Sequence, residues 1–303
     1  MRALVDAFFA TVRTGQLAQR LCIWHAPEDA AAPTTLIVHI HGFAEEMNKS
    51  RRMAAQQSRA FAAVGHAVLQ MDLLGCGDSA GEFSDATWQC WVDDAVAAVS
   101  IARDRYAQTW PDAPPPALWL WGHRLGCLLA TAAAPRIGGH FNLLFWQPTP
   151  NGKTVLQQFL RLETASKLMG KRIPVDRPSA KERLAADLSV DVAGYGLSAK
   201  LARGIEAARL TPPAGATARR IEWLDVAPQP QDGASPATQQ ALAAWSAAGW
   251  VVRSHAIVGP AFWQTTEIED APALISATIA SLGEVRSSMT RSCPDHAAAE
   301  GEA

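Results

Sequence analysis

The strongest constraint in this chain is local. Ala117-Leu118-Trp119-Leu120-Trp121 leads directly into Gly122-His123-Arg124-Leu125-Gly126, and then into Cys127-Leu128-Leu129-Ala130-Thr131-Ala132-Ala133-Ala134. A short apolar run of this kind reads as a strand buried on both faces. The small residues that follow read as a helix packed closely on it. Glycines two residues either side of Arg124 predict a turn too tight for side chains at those two positions. A strand that turns sharply into a helix, with one exposed residue at the apex, belongs in a parallel α/β sheet. Arg124 occupies that apex.

The rest of the chain has the matching rhythm. Leu21–His25 and Thr35–Ile40 are apolar runs across a Pro/Asp/Ala turn and read as neighbouring strands. Arg51 to Val64 has helical spacing and stops at Gly65. Ala67–Met71 is a strand, Trp88 to Ala102 a helix, and Asn142–Trp146 a further strand. Strands alternating with helices predict a mainly parallel sheet covered on both faces. The alternation breaks after Pro150. From Lys153 to about Leu210 the pattern is helical, with no convincing strand, and Thr211-Pro212-Pro213-Ala214-Gly215 closes the segment. Strands resume at Ile221–Val226 and Trp250–Val258, around a helix from Ser235 to Ala248. A last helix runs from Ala271 to Leu282. The expectation is a core of residues 1–150 and 218–283, a helical cap at 151–217, and a disordered tail at 284–303. A cap inserted there roofs the carboxyl ends of the strands.

Composition excludes several classes. Of the 303 residues, 49% are hydrophobic and 18% charged, an ordinary globular balance with material for a large core. A net charge of −2 offers no basic surface for nucleic acid. The five cysteines (Cys22, Cys76, Cys90, Cys127, Cys293) include no Cys-x-x-Cys pair, so neither a metal nor a cofactor is expected. Their irregular spacing fits reduced thiols in a cytoplasm. Asp6 and Arg13 interrupt the N-terminal apolar run too early for a secretory signal, and no stretch reaches the ~20 residues of a membrane span.

Two further loops bear on function. His41-Gly42-Phe43-Ala44-Glu45 follows the Thr35–Ile40 strand, and Asp72-Leu73-Leu74-Gly75-Cys76-Gly77-Asp78-Ser79 follows the next. By residue type the second is a glycine-rich turn in which Asp72 satisfies backbone donors. Taken with the Gly122–Gly126 turn and the cap, these loops make the chain resemble the α/β hydrolases, in particular the monoacylglycerol-lipase-like group. Finer segments are similar to the second family of exosortase-A-system-associated hydrolases: Phe43 to Met53, Asp72 to Ser79, Thr87-Trp88, Trp91-Val92-Asp93-Asp94 and Phe262-Trp263-Gln264-Thr265. That likeness spans about Leu21 to Leu282. It implies an α/β-hydrolase fold, hydrolase activity and a setting in exopolysaccharide assembly. It also implies that Phe43 and Leu125 supply the backbone N–H groups of an oxyanion hole.

The residues needed for hydrolysis do not follow. The nucleophile of Gly-x-Ser-x-Gly is replaced by Arg124, whose guanidinium cannot attack a carbonyl. The base of such a triad sits after the last strand, and the Gly259-Pro260-Ala261-Phe262-Trp263-Gln264 loop contains no histidine. His255 lies inside the strand, His123 is expected to turn away from the apex, and His296 lies in the tail. Asp225 holds the acid position, with Asp232 after it, but neither has a histidine to orient, so both read as turn or cap residues. Cys127 lies one turn into the helix and reads as a small buried hydrophobe.

A long cation at a helix N-terminus adds charge to an end that is already positive. Something anionic must compensate it: a bound carboxylate, acyl or phosphate group, or an internal carboxylate, Glu45 or Glu46. The sequence therefore predicts a non-hydrolytic protein of hydrolase fold that holds a small anionic or acyl ligand at Arg124. The alternative is an active hydrolase or acyltransferase with a non-standard base among Glu45, Glu46 and Asp225.

Overall fold

The computed structural model describes residues 3–13, 15, 17–28, 31–168, 178–214, 219–231 and 233–283. The strands are β1 (Ala3–Thr11), β2 (Gln19–Pro27), β3 (Thr35–Ile40), β4 (Ala67–Met71), β5 (Ala117–His123), β6 (Asn142–Trp146), β9 (Arg220–Ala227) and β10 (Val251–Val258). They form one sheet in the order β1-β2-β4-β3-β5-β6-β9-β10. From β4 to β10 every neighbour is parallel, while β1 and β2 pair antiparallel at one edge.

Parallel neighbours require crossover connections. Four helices supply them: α1 (Glu45–Ala63), α2 (Trp88–Thr109), α3 (Leu125–Ile137) and α7 (Pro236–Ala247). Alternate residues of each central strand therefore bury against opposite faces. Leu36, Val38, Leu118, Leu120 and Phe145 enter one core with Trp91 and Leu128. Ile37, Trp119, Trp121, Leu144 and Trp146 enter the other, beneath Phe61 of α1 and Leu274 of α8 (Pro272–Gly283).

Several local expectations are corrected. β2 and β3 are not neighbours, because the crossover through α1 returns β4 between them. The N-terminal segment, weighed in sequence only as a leader, is the edge strand β1. Helix α2 runs on to Thr109. Helix α1 begins at Glu45, six residues before Arg51, so both glutamates lie on its first turn, where negative charge meets the positive end of the helix.

Between β6 and β9 lie α4 (Gly152–Leu168), α5 (Ala180–Ala185), β7 (Val190–Val192), β8 (Tyr195–Leu197) and α6 (Ala199–Ala207). The hairpin of β7 and β8 is strand structure where none was expected. Its two-residue turn, Ala193-Gly194, has φ of 54° and 87°, the left-handed pair that closes a tight hairpin. Three-residue strands are too short to give a period. The hairpin forms its own two-stranded sheet. The segment is closed at its root by Gly152 N–H to Ala208 O at 3.0 Å and Leu210 N–H to Pro150 O at 3.1 Å. The tail expected at 284–303, with His296, lies outside the described residues, as do Asp232 and Gly215.

A buried carboxylate pins the glycine-rich loop. Asp94 of α2 accepts from Arg20 Nε at 2.9 Å, Arg13 Nη2 at 2.8 Å and the Leu74 N–H at 2.8 Å. Trp91 Nε1 donates to Leu74 O at 3.0 Å. Among the described residues no helix is long and apolar enough to cross a membrane.

Candidate functional site

β5 ends at His123, and α3 begins at Leu125. Arg124 between them has φ 54° and ψ −114°, a conformation that costs an L-residue on the order of 1–3 kcal/mol. Its N–H donates to Trp146 O at 3.0 Å, and its carbonyl accepts from Cys127 N at 3.1 Å. The flanking glycines are obligatory. A Cβ on Gly122 would lie 2.7 Å from the Cys127 backbone nitrogen, and one on Gly126 2.0 Å from Ile40 O. The helix is thus pressed onto the ends of β3 and β5, with Arg124 as the apex. Ala44, which starts α1, has nearly the same backbone, φ 51° and ψ −122°.

The Arg124 side chain folds into the protein, with 8% of its surface exposed. Nε and Nη2 each stand 3.0 Å from Oε1 of Glu46, and Nη2 also donates to Gln158 Oε1 of α4 at 2.9 Å. The Trp263 ring centre is 5.7 Å from the guanidinium carbon. Glu45 goes elsewhere: its Oε2 accepts from the Tyr195 hydroxyl at 3.1 Å. Successive residues of a helix point about a quarter-turn apart, so only one of the two glutamates can face the apex. Burial raises the Glu46 pKa. The Arg124 charge, the hydrogen bond from Arg124 and the nearby Phe43 backbone N–H all act the other way. Among the described residues, Glu46 Oε2 is buried without a partner in hydrogen-bond geometry. Phe43, the expected oxyanion donor, thus lies near this carboxylate without a formed bond to it. Its ring is buried against Phe159 of α4, with centroids 4.9 Å apart. Leu125 is buried as the first residue of α3.

Among the described residues the histidines do not assemble a base at Arg124. His123 closes β5 and is buried, its ring stacked on Phe262 at 5.5 Å and 19°. Burial, then the Arg124 charge, holds its pKa well below the usual range. His255 lies in β10 and bonds Glu222 Oε2 at 2.6 Å. His41 is spent on the backbone: Nδ1 is 2.7 Å from Gly42 O, and Nε2 accepts from Leu73 N at 3.2 Å. Asp72 accepts from Arg51 Nη2 at 2.8 Å and from Asp78 N at 3.3 Å. Asp225 is a strand residue rather than a turn or cap residue. It lies inside β9, where both its oxygens accept from Trp223 Nε1 at 3.1 Å. Cys127 is buried, and its thiol pKa is pushed well above the ordinary value, first by burial. Among the described residues no cluster of three or more His, Cys, Asp or Glu could hold a metal ion.

Two residues at the apex were not joined to Arg124 by the sequence. Gln158 is a polar position on a helical pattern, and Trp263 stood out only within the post-strand loop that lacks a histidine. Neither carries a motif that points to Arg124. Above the apex lies a pocket of about 320 Å³ walled by Phe43, Val155, Phe159, Leu162 and Trp263. Glu46 lines it, with Lys49, Gln158 and Gln264, whereas Arg124 does not. Glu46 therefore stands between the pocket and the arginine.

A largely parallel eight-stranded sheet with a strained strand–turn–helix apex defines an α/β hydrolase fold. The family model described as serine aminopeptidase, S33 matches residues 31–193, more than half of the chain, and the chain belongs to this α/β hydrolase family. Solved structures agree in fold. Est1E from Butyrivibrio proteoclasticus, in a complex with ferulic acid, is 16% identical with a TM-score of 0.57, over 89% of this chain and 96% of that one. A carboxyl esterase from Bacillus coagulans, in complex with glycerol, is 13% identical with a TM-score of 0.56, over 95% and 99%. A putative hydrolase from Agrobacterium vitis is 15% identical with a TM-score of 0.53, over 91% and 99%. No curated protein matches the chain in sequence. Within this family the chain departs at the apex, where arginine replaces the serine of Gly-x-Ser-x-Gly.

Proposed function

We propose that this protein has exchanged hydrolysis for the binding of a small anionic or acyl ligand in the pocket that the hydrolase fold provides. One observation carries the non-hydrolytic part of the reading. The apex of the turn is a buried arginine paired with Glu46, so the place of nucleophile and oxyanion is filled by an internal ion pair. A hydrolase needs that place empty and flanked by a nucleophile and a base. Here the loop after β10 brings Phe262 and Trp263 in place of a histidine. The similarity of the loops to exosortase-A-associated hydrolases supports a ligand among acyl or phosphorylated intermediates of exopolysaccharide assembly, in the cytoplasm.

The active alternative has one observation in its favour. Glu46 is a carboxylate with a raised pKa near the Phe43 backbone N–H, the kind of group that can serve as a general base. Hydrolysis of p-nitrophenyl acetate and butyrate separates the two readings. The expected result is no turnover above buffer, in wild type and in Arg124→Ser alike, because the base is also missing. Burst kinetics from Arg124→Ser would show a hidden base, and wild-type turnover abolished by Glu46→Gln would establish the alternative.

A further inference from the structure

We infer that the pocket holds an amphipathic anion with its head at Lys49 on the rim and its apolar chain toward Glu46, with the Arg124–Glu46 pair as a neutral floor. The inference rests on the binding reading above and concerns which cation receives the head group. The first observation is the lining: Arg124 is absent from it, and its guanidinium is already engaged by Glu46 and Gln158. Glu46 and Gln158 take its Nε and Nη2 donors, so an anion could reach only Nη1, beside the Glu46 carboxylate, which would repel it. The second is that the lining includes a half-buried cation, Lys49. Among the described residues no carboxylate pairs with Lys49. Glu45, one turn before it on α1, lines the same pocket but hydrogen-bonds Tyr195. The third concerns Gln158, whose oxygen is held by Arg124, so that its amide belongs with the floor and leaves Lys49 as the cation for the head group. An ammonium with three N–H donors suits a carboxylate or phosphate head. The walls below the rim are apolar, from Phe43 and Phe159 to Val155 and Trp263. A volume of about 320 Å³ suits one short chain or ring, the lower end of small-molecule sites.

The test is calorimetric titration of octanoate, octyl phosphate and 1-octanol into wild type, Lys49→Met, Val155→Trp and the double variant Arg124→Met/Glu46→Gln. The double variant removes both buried charges together, and so keeps a folded, neutral floor. Octanoate and octyl phosphate should bind wild type roughly tenfold more tightly than 1-octanol, as a charge-assisted contact provides. Lys49→Met should erase that margin, the double variant should retain it, and Val155→Trp should exclude all three probes. A margin that survives Lys49→Met, a margin lost only in the double variant, or no binding by any probe would overturn the assignment. Hydrolysis of p-nitrophenyl octanoate by wild type would instead sink the non-hydrolytic reading, independently of where the head group binds.

Discussion

Glu46 and Arg124, 78 residues apart in the chain, meet across the strand-to-helix turn, with both Nε and Nη2 of the arginine 3.0 Å from a single carboxylate oxygen. Each is the other's neutralising charge in a setting where a lone charge is costly. Removing either one alone, in Arg124→Met or Glu46→Gln, should lower stability by about 3–5 kcal/mol. Removing both should recover most of that loss, because two neutral side chains leave nothing stranded. Urea denaturation of the two single variants and the double variant reads the coupling directly. Additive losses would mean that the pair is not a unit.

The histidines make the protein acid-sensitive. Burial lowers the His39 pKa to about 3, and His41 and His123 are also held below the ordinary value of 6.5. The unfolded chain takes up these protons near 6.5 while the folded state refuses them. The stabilisation is therefore complete above 6.5 and is lost progressively as pH falls toward 3. His123→Phe, which keeps the ring stack on Phe262, should flatten the fall in melting temperature below pH 6.5. An unchanged slope would remove His123 from the account. Glu46, raised by burial, pulls in the opposite direction, and comparison of the variant with wild type cancels its share.

Asp94 should prove structural rather than chemical. It is fully buried and accepts from Arg13, Arg20 and Leu74. Asp94→Asn leaves two guanidinium groups short of a partner and should cost about 3–5 kcal/mol. Faster amide exchange at Leu74 than in wild type should accompany it. Global destabilisation without that local change would mean that the glycine-rich loop does not depend on this carboxylate.

The glycines of the turn admit no side chain. Gly126→Ala would set a Cβ 2.0 Å from Ile40 O and 2.7 Å from His41 O, both backbone atoms with no room to move. A loss of about 3 kcal/mol or more is expected, measured by denaturation. Gly138→Ala is the control. The space around Gly138 is open, but its φ of 66° is strained for alanine, so a smaller loss is expected there. Equal losses at the two positions would mean that the close contact at Gly126 is relieved elsewhere.

The features legible in the sequence are those set within one element. Apolar runs marked the inner strands, because burial on both faces demands them at every position. Gly122 and Gly126 marked the turn, because steric exclusion at a tight apex leaves only glycine. The missing serine and the missing histidine after the last strand were equally plain, and a buried cation at a helix start demanded an anion. What no local signal carried was decided by assembly. The order of β2, β4 and β3 followed from the side to which α1 returned the chain. The edge strand β1 exists because β2 offers it a ladder, although its own residues Leu4, Val5 and Phe9 remain exposed. The choice of Glu46 over Glu45 depended on where α1 begins, since moving by one residue rotates a helical side chain about a quarter-turn. Gln158 and Trp263 reach Arg124 from the inserted helix and from the far end of the sheet, by distance in space alone. Sequence determines which charges a buried site must balance; only the tertiary structure selects the atoms that balance them, because that choice turns on helix phase and packing between segments remote in the chain.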